Sequence, residues 1–450
     1  MAEQPRTNAD ANDDRPAALA AARPAGRTLV RAAWLADGAG AFAAPAAMLL
    51  EAGRVVAAGT PQQVGAPGDA ALLELPEAAL LPAFVNAHAH LDLTALGPVP
   101  YAGDFDGWLR GIRQARRGLH GASLQGSVAA GVRALRTGGV AAVGDIASAD
   151  AAAAVHSACA QAGVGGVVFQ EVFGMGPRRG AALEAVQALA AAAQPATARG
   201  PRRGIEPHAP YSSDAAVFEA ALASGLPVAT HLAESVAERE FLATGTGRFR
   251  ALLDDLGLWD GSVALGARHP VEWIARRLEA AARLRAAAGI AGPLRLLAVH
   301  LNDLDDAALA LLATLPVDVA YCPRASAYFG HAGHRYRELR AAGVRVCLGT
   351  DSIVCLDTPD RLSTLDEARL LLRRDGIALA EALAMATTEG ARALGLDPAD
   401  FHFGGGARAG VLAVGAGSAV GAGSAAVAHP AAAARALAGS SDAPSWISMV

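Results

Sequence analysis

The chain has 450 residues, 53% of them hydrophobic and 18% charged, which is enough for one large domain and a smaller one. A formal net charge of −5 without a basic cluster excludes the electrostatic pattern of a nucleic-acid-binding or membrane-surface protein. The sequence contains no lysine, which excludes Schiff-base chemistry and a metal bridge built on a carboxylated lysine. We therefore predict a small-molecule substrate, with no nucleic-acid and no membrane partner; the sequence leaves open whether the chain forms a homodimer.

The N-terminal residues 1–27 are polar and contain proline, and they lack the apolar core of a signal peptide. We predict that they form a disordered tail and that the protein is cytoplasmic. The four cysteines form no Cys-x-x-Cys pair, which favours buried reduced thiols over a disulfide framework or a zinc–thiolate site.

Residues 28–83 show the pattern of a small all-β unit. The predicted strands are Thr28–Ala36, Ala47–Glu51 and Arg54–Ala58, followed by an apolar run that ends at Leu81-Pro82. We interpret this segment as the N-terminal part of a small β-sandwich domain.

Between residues 84 and 396, short apolar runs alternate with helical stretches. The predicted strands are Pro82–His90, Gly139–Ile146, Gly163–Phe173, Arg203–His208, Pro227–His231, Leu294–His300, Val317–Cys322 and Val344–Asp351. The predicted helices between them include Leu124–Thr137, Asp214–Ser224, Val271–Ala288 and Asp303–Ala313. Eight such units predict an α/β fold with a (β/α)8 TIM-type barrel, and an open doubly wound sheet is the structural alternative.

The last part of the chain is rich in Gly and Ala. We predict that residues 397–430 complete the small β domain, with a strand at Ala407–Ala413. Residues 431–450 are predicted to be a loose tail because the sequence from Gly415 onward is low in complexity.

Polar residues follow five of the eight predicted barrel strands. The first strand ends in Asn86-Ala87-His88-Ala89-His90, and residues two apart point to the same face of a strand. His208, His231, His300 and Asp351 end the fourth, fifth, sixth and eighth strands, and Glu234 follows His231. Each residue alone could be a hydrogen-bonded strand end or a helix cap. Because a barrel brings its strand ends together, the set as a whole indicates a metal site.

These segments resemble the metal-binding motifs of the amidohydrolase superfamily, in order, from about Thr28 to Leu396. The matching segments are Leu81-Pro-Ala-Phe-Val-Asn-Ala-His88-Ala-His90-Leu, His208-Ala-Pro-Tyr, His231-Leu-Ala-Glu234, His300 and Leu348-Gly-Thr-Asp351. They are most similar to the deaminase and chlorohydrolase branch, which includes adenosine, S-adenosylhomocysteine, guanine and aminofutalosine deaminases. Two departures concern Gly410, where relatives carry aspartate, and the loop Ile353-Val354-Cys355-Leu356, where relatives often carry Ser or Asn.

The resemblance implies one divalent ion, zinc or alternatively iron, held by His88, His90, His231 and Asp351. It also implies proton transfer by Glu234 and substrate contacts from His208 and His300.

The mechanism that we predict from this set is hydrolysis of a carbon–nitrogen bond. The ion activates water, Glu234 and Asp351 share the proton transfers, and His300 stabilises the developing charge on oxygen. The predicted reaction is deamination of a purine-like base or nucleoside of the aminofutalosine, adenosine or S-adenosylhomocysteine type. A hydrolase of cyclic or linear amides, a ring chlorohydrolase and an inactive binding barrel are the alternatives.

Two further segments are candidates for the substrate pocket. In Gly103-Asp-Phe-Asp-Gly-Trp108-Leu-Arg110, either Trp108 or Arg110 lines the pocket, or the segment is simply a helix start capped by Asp106. Similar Phe-x-x-Trp segments occur in aminofutalosine deaminases. After the seventh strand, Arg324 and His331 contact substrate or serve loop packing.

Two carboxylates near strand ends complete the candidates. Asp145 and Glu171 follow the second and third strands, where a sugar hydroxyl or loop amides are their alternative partners.

Overall fold

The N-terminal strands form the first part of a mixed sheet. The computed structural model describes residues 26–192, 200–416 and 429–448, so most of the predicted disordered tail lies outside the described residues. The strands are β1 (Arg27–Ala36), β2 (Phe42–Ala43), β3 (Ala46–Glu51), β4 (Arg54–Gly59) and β5 (Ala71–Pro82). β1 pairs antiparallel with β2 and β3 and parallel with β5, while β3 pairs with β4.

A second sheet of eight parallel strands forms the centre of the molecule. Its strands are β6 (Phe84–Ala89), β7 (Val140–Ala147), β8 (Gly165–Val172), β9 (Arg202–Pro207), β10 (Val228–Leu232), β11 (Leu296–His300), β12 (Val317–Tyr321) and β13 (Val346–Leu348). They are hydrogen-bonded in chain order from β6 to β13. A parallel bridge between Ala89 and Asp351 connects the last strand back to the first. The prediction of a TIM-type barrel is therefore confirmed.

The barrel strands are short, apolar and buried on both faces, as parallel strands covered by helices require. All six residues of β6 and all eight of β7 are buried, and this is why the sequence shows continuous apolar runs there. Because the strands are buried, the histidine side chains at their ends are also largely shielded from solvent.

Helices lie around the barrel, except for the first, which packs against β3 and β4 of the small sheet. They are α1 (Pro61–Val64), α2 (Phe105–Arg117), α3 (Gly121–Thr137), α4 (Ala152–Gln161), α5 (Arg179–Ala191), α6 (Ala215–Ala223), α7 (Val236–Thr244), α8 (Arg248–Asp255), α9 (Pro270–Ala288), α10 (Asp306–Leu312), α11 (Pro323–Tyr328), α12 (Tyr336–Ala341), α13 (Thr364–Asp375), α14 (Leu379–Ala386), α15 (Thr388–Ala393) and α16 (Pro430–Gly439). Short 3-10 turns lie at Leu91–Leu96, Gly176–Arg178, Ile353–Cys355, Pro398–Phe401 and Phe403–Gly405. Among the described helices, none combines the length and the apolarity needed to cross a bilayer.

The C-terminal segments complete the first sheet. Strand β14 (Val411–Gly415) pairs antiparallel with β5, and β15 (Ser445–Ser448) pairs with β14. The seven strands of both termini therefore form one mixed sheet. The predicted strand Ala407–Ala413 overlaps β14 only in its second half. The chain turns at Ala407 with a φ of 44° and at Gly410 with a φ of 127° before pairing begins.

The prediction of a loose tail over residues 431–450 is wrong for the part that the structure describes. Residues 430–439 form α16, and Leu437 is fully buried. Alanine is the best helix former, so a sequence low in complexity can still form a helix when one face packs. The segment is also hydrogen-bonded to the barrel helices in both directions. Arg373 of a barrel helix donates to the carbonyl of Ala438, and Trp446 of the segment donates to the carbonyl of Arg136.

A single residue separates the two sheets. Ala83 lies between the end of β5 and the start of β6, and its N–H donates to the carbonyl of Gly410 at 3.0 Å. The next residue, Phe84, donates to the carbonyl of Gly139 at 2.9 Å. The first barrel strand is therefore fixed at its start by both sheets.

Candidate metal centre

Four histidines meet at the carboxyl ends of the barrel strands. His88 lies in β6, His90 follows that strand, His231 lies in β10 and His300 ends β11. The ring centroid of His88 is 4.9 Å from that of His90, 5.1 Å from that of His231 and 5.6 Å from that of His300. All four side chains are buried. The structure therefore brings together imidazoles that are separated by more than 200 residues in the sequence.

Asp351 adds a carboxylate to this group. Its Oδ1 atom is 3.7 Å from Nε2 of His90 and 4.0 Å from Nε2 of His88. The donor atoms form two sets, and within each set all atoms lie within 4.8 Å of one another. One set comes from His88, His90 and Asp351, and the other from His88, His231 and His300. The two sets share His88, and together they contain the four ligands that the resemblance implies, with His300 as a fifth neighbour.

The donor atoms of this group have the properties of metal ligands without a protein partner. Neither ring nitrogen of His88 has a hydrogen-bond partner in the described part of the chain, and the same holds for Nδ1 of His90. Burial, followed by the charges of neighbouring histidines, lowers the pKa of His88 and of His90 well below the usual range. Burial lowers the pKa of His231 and of His300 to about 3. Neutral, unpartnered imidazoles next to a carboxylate fit a divalent cation.

Burial also controls the carboxyl groups. It raises the pKa of Asp351 to about 7, with a smaller contribution from the charge of Glu234. Burial likewise raises the pKa of Glu234, and the nearby His231 opposes this shift. Glu234 lies at 3.7 Å from His300, measured from Oε1 to Nε2. Burial therefore favours the protonated form of both carboxyl groups more than water does, and a protonated carboxyl group can act as a proton donor.

Glu206 lies beside His231 and was not among the predicted site residues. Its Oε1 atom is 3.1 Å from Nδ1 of His231, but neither of its carboxylate oxygens has a hydrogen-bond partner among the described residues. Nδ1 donates instead to the carbonyl of His208 at 3.1 Å, which leaves Nε2 for the metal position. The sequence offers one signal for this residue: Glu206 and His208 are two apart on one strand and share a face.

His208 joins the centre to a buried ionic network. Its Nδ1 lies 2.8 Å from the hydroxyl of Ser212, and its Nε2 lies 3.8 Å from a carboxylate oxygen of Glu171. Arg116 bridges Glu171 and Asp92 at 2.9 and 3.0 Å. Asp145 accepts a hydrogen bond from the N–H of Leu91, so its partner here is a loop amide.

The backbone takes unusual conformations at the strand ends that carry the site. His300, Asp351 and Ala233 have φ values of 76°, 61° and 49°, in the left-handed region that non-glycine residues seldom adopt. His334 supports one of these turns, because its Nε2 lies 2.7 Å from the carbonyl oxygen of His300. Such strained positions concentrate at functional sites, where the surrounding structure enforces them.

Asn86 and Thr350 fix Asp351 relative to His88. The amide of Asn86 donates to the hydroxyl of Thr350 at 2.7 Å, and the N–H of Thr350 and that of Asp351 both donate to the carbonyl of His88. Gly349 allows this close approach, since a Cβ there would lie 2.7 Å from Cβ of His88.

A cavity of about 590 Å³ opens onto the centre. Its wall includes His90, His208, His231, His300, Glu234 and Asp351 from the centre. A volume of this order suits a ligand of drug or nucleoside size, since such pockets measure roughly 300–1,000 Å³.

Trp108 lines this cavity and Arg324 lies elsewhere. The indole N–H of Trp108 donates to the hydroxyl of Tyr328 at 2.8 Å. The predicted cap at Asp106 is wrong, because the N-cap of α2 is Asp104, whose side chain accepts from the N–H of Gly107. Arg324 forms ion pairs with Glu367 and Asp357 at 2.6 and 3.1 Å and is not part of the described cavity wall.

A parallel barrel with imidazoles and a carboxylate at the carboxyl ends of its strands defines a class of metal-dependent barrel hydrolases. Sequence comparison agrees with this assignment. The profile of the amidohydrolase family matches residues 79–399, which is more than half of the chain. The chain therefore belongs to the amidohydrolase family, as its motifs predict.

Curated relatives of this chain are named as deaminases. An aminodeoxyfutalosine deaminase of Deinococcus radiodurans is 27% identical over 341 residues, covering 72% of this chain and 76% of the relative. A 5'-deoxyadenosine deaminase of Methanoregula boonei is 40% identical over 128 residues, covering 27% of this chain and 29% of the relative. In the second case the matched segment spans less than a third of the relative.

Solved structures share the fold at low sequence identity. The aminofutalosine deaminase of Helicobacter pylori, in complex with methylthio-coformycin, aligns with a TM-score of 0.67 and 21% identity over 86% of this chain and 92% of that chain. A zinc-bound adenosine deaminase of Xanthomonas campestris aligns with a TM-score of 0.62 and 22% identity over 90% and 88%.

Proposed function

We propose that this protein is a metal-dependent aminohydrolase that deaminates a purine-like base or nucleoside with release of ammonia. The observation that carries the proposal is the buried group of His88, His90, His231 and Asp351, with Glu234 beside it, at the mouth of a cavity of about 590 Å³. The deaminase names of the curated relatives support the choice of reaction.

We propose that His88, His90, His231 and Asp351 hold one divalent ion, zinc in the first instance and iron as the alternative. When bound, such an ion would act as a Lewis acid and lower the pKa of water towards neutrality. The zinc in the structural neighbour from Xanthomonas campestris supports this choice of metal. The carbonyl of His208 holds the His231 ring so that Nε2 faces the other proposed ligands, and Glu206 places a carboxylate 3.1 Å from Nδ1 on the same side.

The roles of the chain's own residues follow from their positions. Asp351 and Glu234 face the same space and have raised pKa values, so either accepts the proton of the attacking water. Glu234 then delivers a proton to the ring nitrogen beside the attacked carbon. The carbon–oxygen bond forms, and the proton of the new hydroxyl group then passes through Asp351 or Glu234 to the amino group. The carbon–nitrogen bond breaks and ammonia leaves, while the first proton stays on the ring nitrogen. His300, 3.7 Å from Glu234, stabilises the charge that develops on oxygen.

The cavity wall supports an aromatic substrate. Trp108, Phe105 and Phe329 line it together with Phe173, whose ring stacks on His208 with 4.7 Å between centroids. Aromatic walls bind the faces of a flat heterocycle. His208 presents a ring edge next to Glu171, where a substrate hydroxyl or ring nitrogen is accommodated.

The test is ammonia release from a substrate panel by zinc-loaded protein. The panel contains adenosine, 5'-deoxyadenosine, 5'-methylthioadenosine, S-adenosylhomocysteine and aminodeoxyfutalosine, with a cyclic amide and a chlorotriazine as other leaving groups. We expect ammonia from at least one purine nucleoside and about one zinc per chain. Turnover of the amide or the chlorotriazine alone would replace the deaminase proposal by that reaction.

The proton-transfer role has its own variant. Glu234→Gln should lower kcat by about 10²- to 10⁴-fold, because a positioned general acid–base contributes that much. Zinc content should stay unchanged. Glu240→Gln is the matched control, since this glutamate is exposed on α7, the helix that begins two residues after Glu234. Full turnover by Glu234→Gln would refute the role.

A further inference from the structure

The turn that carries Glu234 is hydrogen-bonded along its length to the turn that follows β11. Three consecutive carbonyls, those of residues 232–234, accept hydrogen bonds from three consecutive residues, 301–303. The first and last of these donors are main-chain N–H groups, which lie 3.0 and 2.9 Å from their acceptors. The donor between them is a side chain: Nδ2 of Asn302 donates to the carbonyl of Glu234 at 3.3 Å. One contact that fixes the backbone of Glu234 is therefore open to substitution.

The N–H of Glu234 is also held by a side chain. It donates to Oε2 of Glu238, a fully buried residue of α7, at 3.1 Å. Ala233, immediately before Glu234, has a φ of 49°, which non-glycine residues seldom adopt. A backbone in this region keeps its conformation only when the surrounding structure enforces it. Glu238 and Asn302 supply two of the enforcing contacts, and they come from different elements.

Ser326 fixes the orientation of the Asn302 amide. Its hydroxyl donates to Oδ1 of Asn302 at 2.7 Å, which directs Nδ2 of the same amide at the carbonyl of Glu234. Ser326 is buried in α11, the helix whose last residue, Tyr328, accepts a hydrogen bond from the indole of Trp108. Two hydrogen bonds therefore connect Glu234 to a helix that also contacts the aromatic wall of the cavity.

We infer that Asn302, oriented by Ser326, is a positioning residue for Glu234: it holds the backbone of Glu234 so that the carboxylate stays beside His300. The carboxylate is 3.7 Å from Nε2 of His300. A displacement of about 1 Å at a reacting group costs about 100-fold in rate, so the contact that fixes this backbone matters for turnover. The inference rests on the proposed function, because it acts through the proton transfer assigned to Glu234.

The location of the two residues separates this role from substrate binding. Neither Asn302 nor Ser326 is part of the described cavity wall, whereas Glu234 is. Their substitution should therefore change the rate of the bound complex more than the binding of substrate.

Two substitutions break the connection without introducing a charge. Asn302→Leu removes the amide at nearly the same side-chain size, and Ser326→Ala removes only the hydroxyl. We expect kcat of the zinc-loaded protein to fall by about 10- to 100-fold in Asn302→Leu and by about 3- to 10-fold in Ser326→Ala. KM should stay within about threefold of wild type, and zinc content should not change.

Ser363→Ala is the matched control. Ser363 is another buried serine, and its hydroxyl donates to the carbonyl of Gly138 at 2.6 Å. Gly138 lies just before β7, at the amino end of the barrel strands and thus opposite the metal centre. This variant loses a comparable hydrogen bond and should keep the wild-type kcat. An equal loss of kcat in Ser363→Ala and Ser326→Ala would overturn the inference.

A double-mutant cycle separates positioning of Glu234 from a general structural role. Glu234→Gln keeps the backbone and removes the proton-transfer group. If Asn302 acts through that group, adding Asn302→Leu to Glu234→Gln should lower kcat by no more than about two- to threefold, so the two losses are not additive in free energy. Losses that multiply, wild-type kcat in both single variants, or a loss confined to KM would each overturn the inference.

A measurement without turnover keeps this inference separate from the proposed reaction. If the protein turns over only the amide or the chlorotriazine, the cycle is measured with that substrate. If it turns over none of the panel, the proposed function fails, and hydrogen–deuterium exchange of the segment containing Glu234 still decides the inference. Faster exchange of this segment in Asn302→Leu and Ser326→Ala than in Ser363→Ala supports it, and equal exchange in all three overturns it.

Discussion

Substituting Glu206 tests whether a carboxylate behind a ligand controls metal affinity in this barrel. Glu206 is fully buried, and its Oε1 atom lies 3.1 Å from Nδ1 of His231. Carboxylates behind a histidine ligand contribute about 10- to 100-fold to metal affinity. The carbonyl of His208 also lies 3.1 Å from Nδ1 and remains in the variant, so the loss should fall in the lower part of that range. We expect Glu206→Gln to weaken zinc binding by about 10- to 30-fold, or about 1.4 to 2 kcal/mol.

The stability of the metal-free protein should change little in this variant. Burial raises the pKa of Glu206 well above the usual range, which favours the neutral acid over the carboxylate in the metal-free protein. Glutamine has nearly the same shape, and we expect a change of about 1 kcal/mol or less in the free energy of unfolding. The loss of affinity is therefore specific to the metal-bound state, in which an ionised Glu206 supports the positive charge.

The assay is competition for zinc between the protein and a calibrated chelator. Glu238→Gln is the matched control, because Glu238 is another buried glutamate whose pKa burial raises, here to about 8. Its carboxylate accepts a hydrogen bond from the N–H of Glu234 and contacts none of the four proposed ligands through a hydrogen bond. A zinc affinity within twofold of wild type for Glu206→Gln, or an equal loss for both variants, would refute the reasoning.

Two further predictions concern the metal centre. Burial raises the pKa of Asp351 to about 7, so below pH 7 the metal-free carboxyl must lose one proton to bind zinc, and ionisation of Glu206 adds to this proton release. Zinc affinity should therefore fall by at least about tenfold per pH unit from pH 7 to 5. A chelator titration at several pH values measures this slope, and a slope below one proton would contradict the prediction. Gly349→Ala should destabilise the protein by about 1–3 kcal/mol in urea unfolding, because its Cβ would lie 2.7 Å from Cβ of His88. Gly126→Ala, in an exposed helix position with open space, should instead stabilise by about 0.5–1 kcal/mol, and equal effects would exclude the steric explanation.

The barrel was predictable because its signals are local. Each predicted strand overlaps an observed one, since strands buried on both faces need continuous apolar runs. The largest difference is at the eighth strand, predicted as Val344–Asp351 and observed as Val346–Leu348. Residues 350 and 351 leave the ladder because their N–H groups turn to the carbonyl of His88, a contact made across more than 260 residues.

The convergence of the four histidines and Asp351 was predictable for a similar reason, and the contacts around them were not. The carboxyl ends of the strands converge in any parallel barrel, so histidine side chains at these ends are directed to the same region. The role of Glu206 depends instead on which ring nitrogen of His231 faces it, which sequence spacing does not record. Arg324 shows the opposite case: a basic residue after a strand looked available for substrate, but Glu367, 43 positions away, pairs with it.

The junction at Ala83 connects the small sheet directly to the strand that carries His88. Strand β5 passes into β6 after this one residue, whose N–H donates to the carbonyl of Gly410. A shortened protein that begins at the barrel, or that stops before Gly410, would lose an anchor only a few residues upstream of His88 and His90. Attempts to engineer a minimal barrel from this chain should therefore retain the strands of the small sheet from both ends of the chain, because they fix the start of the strand that carries His88.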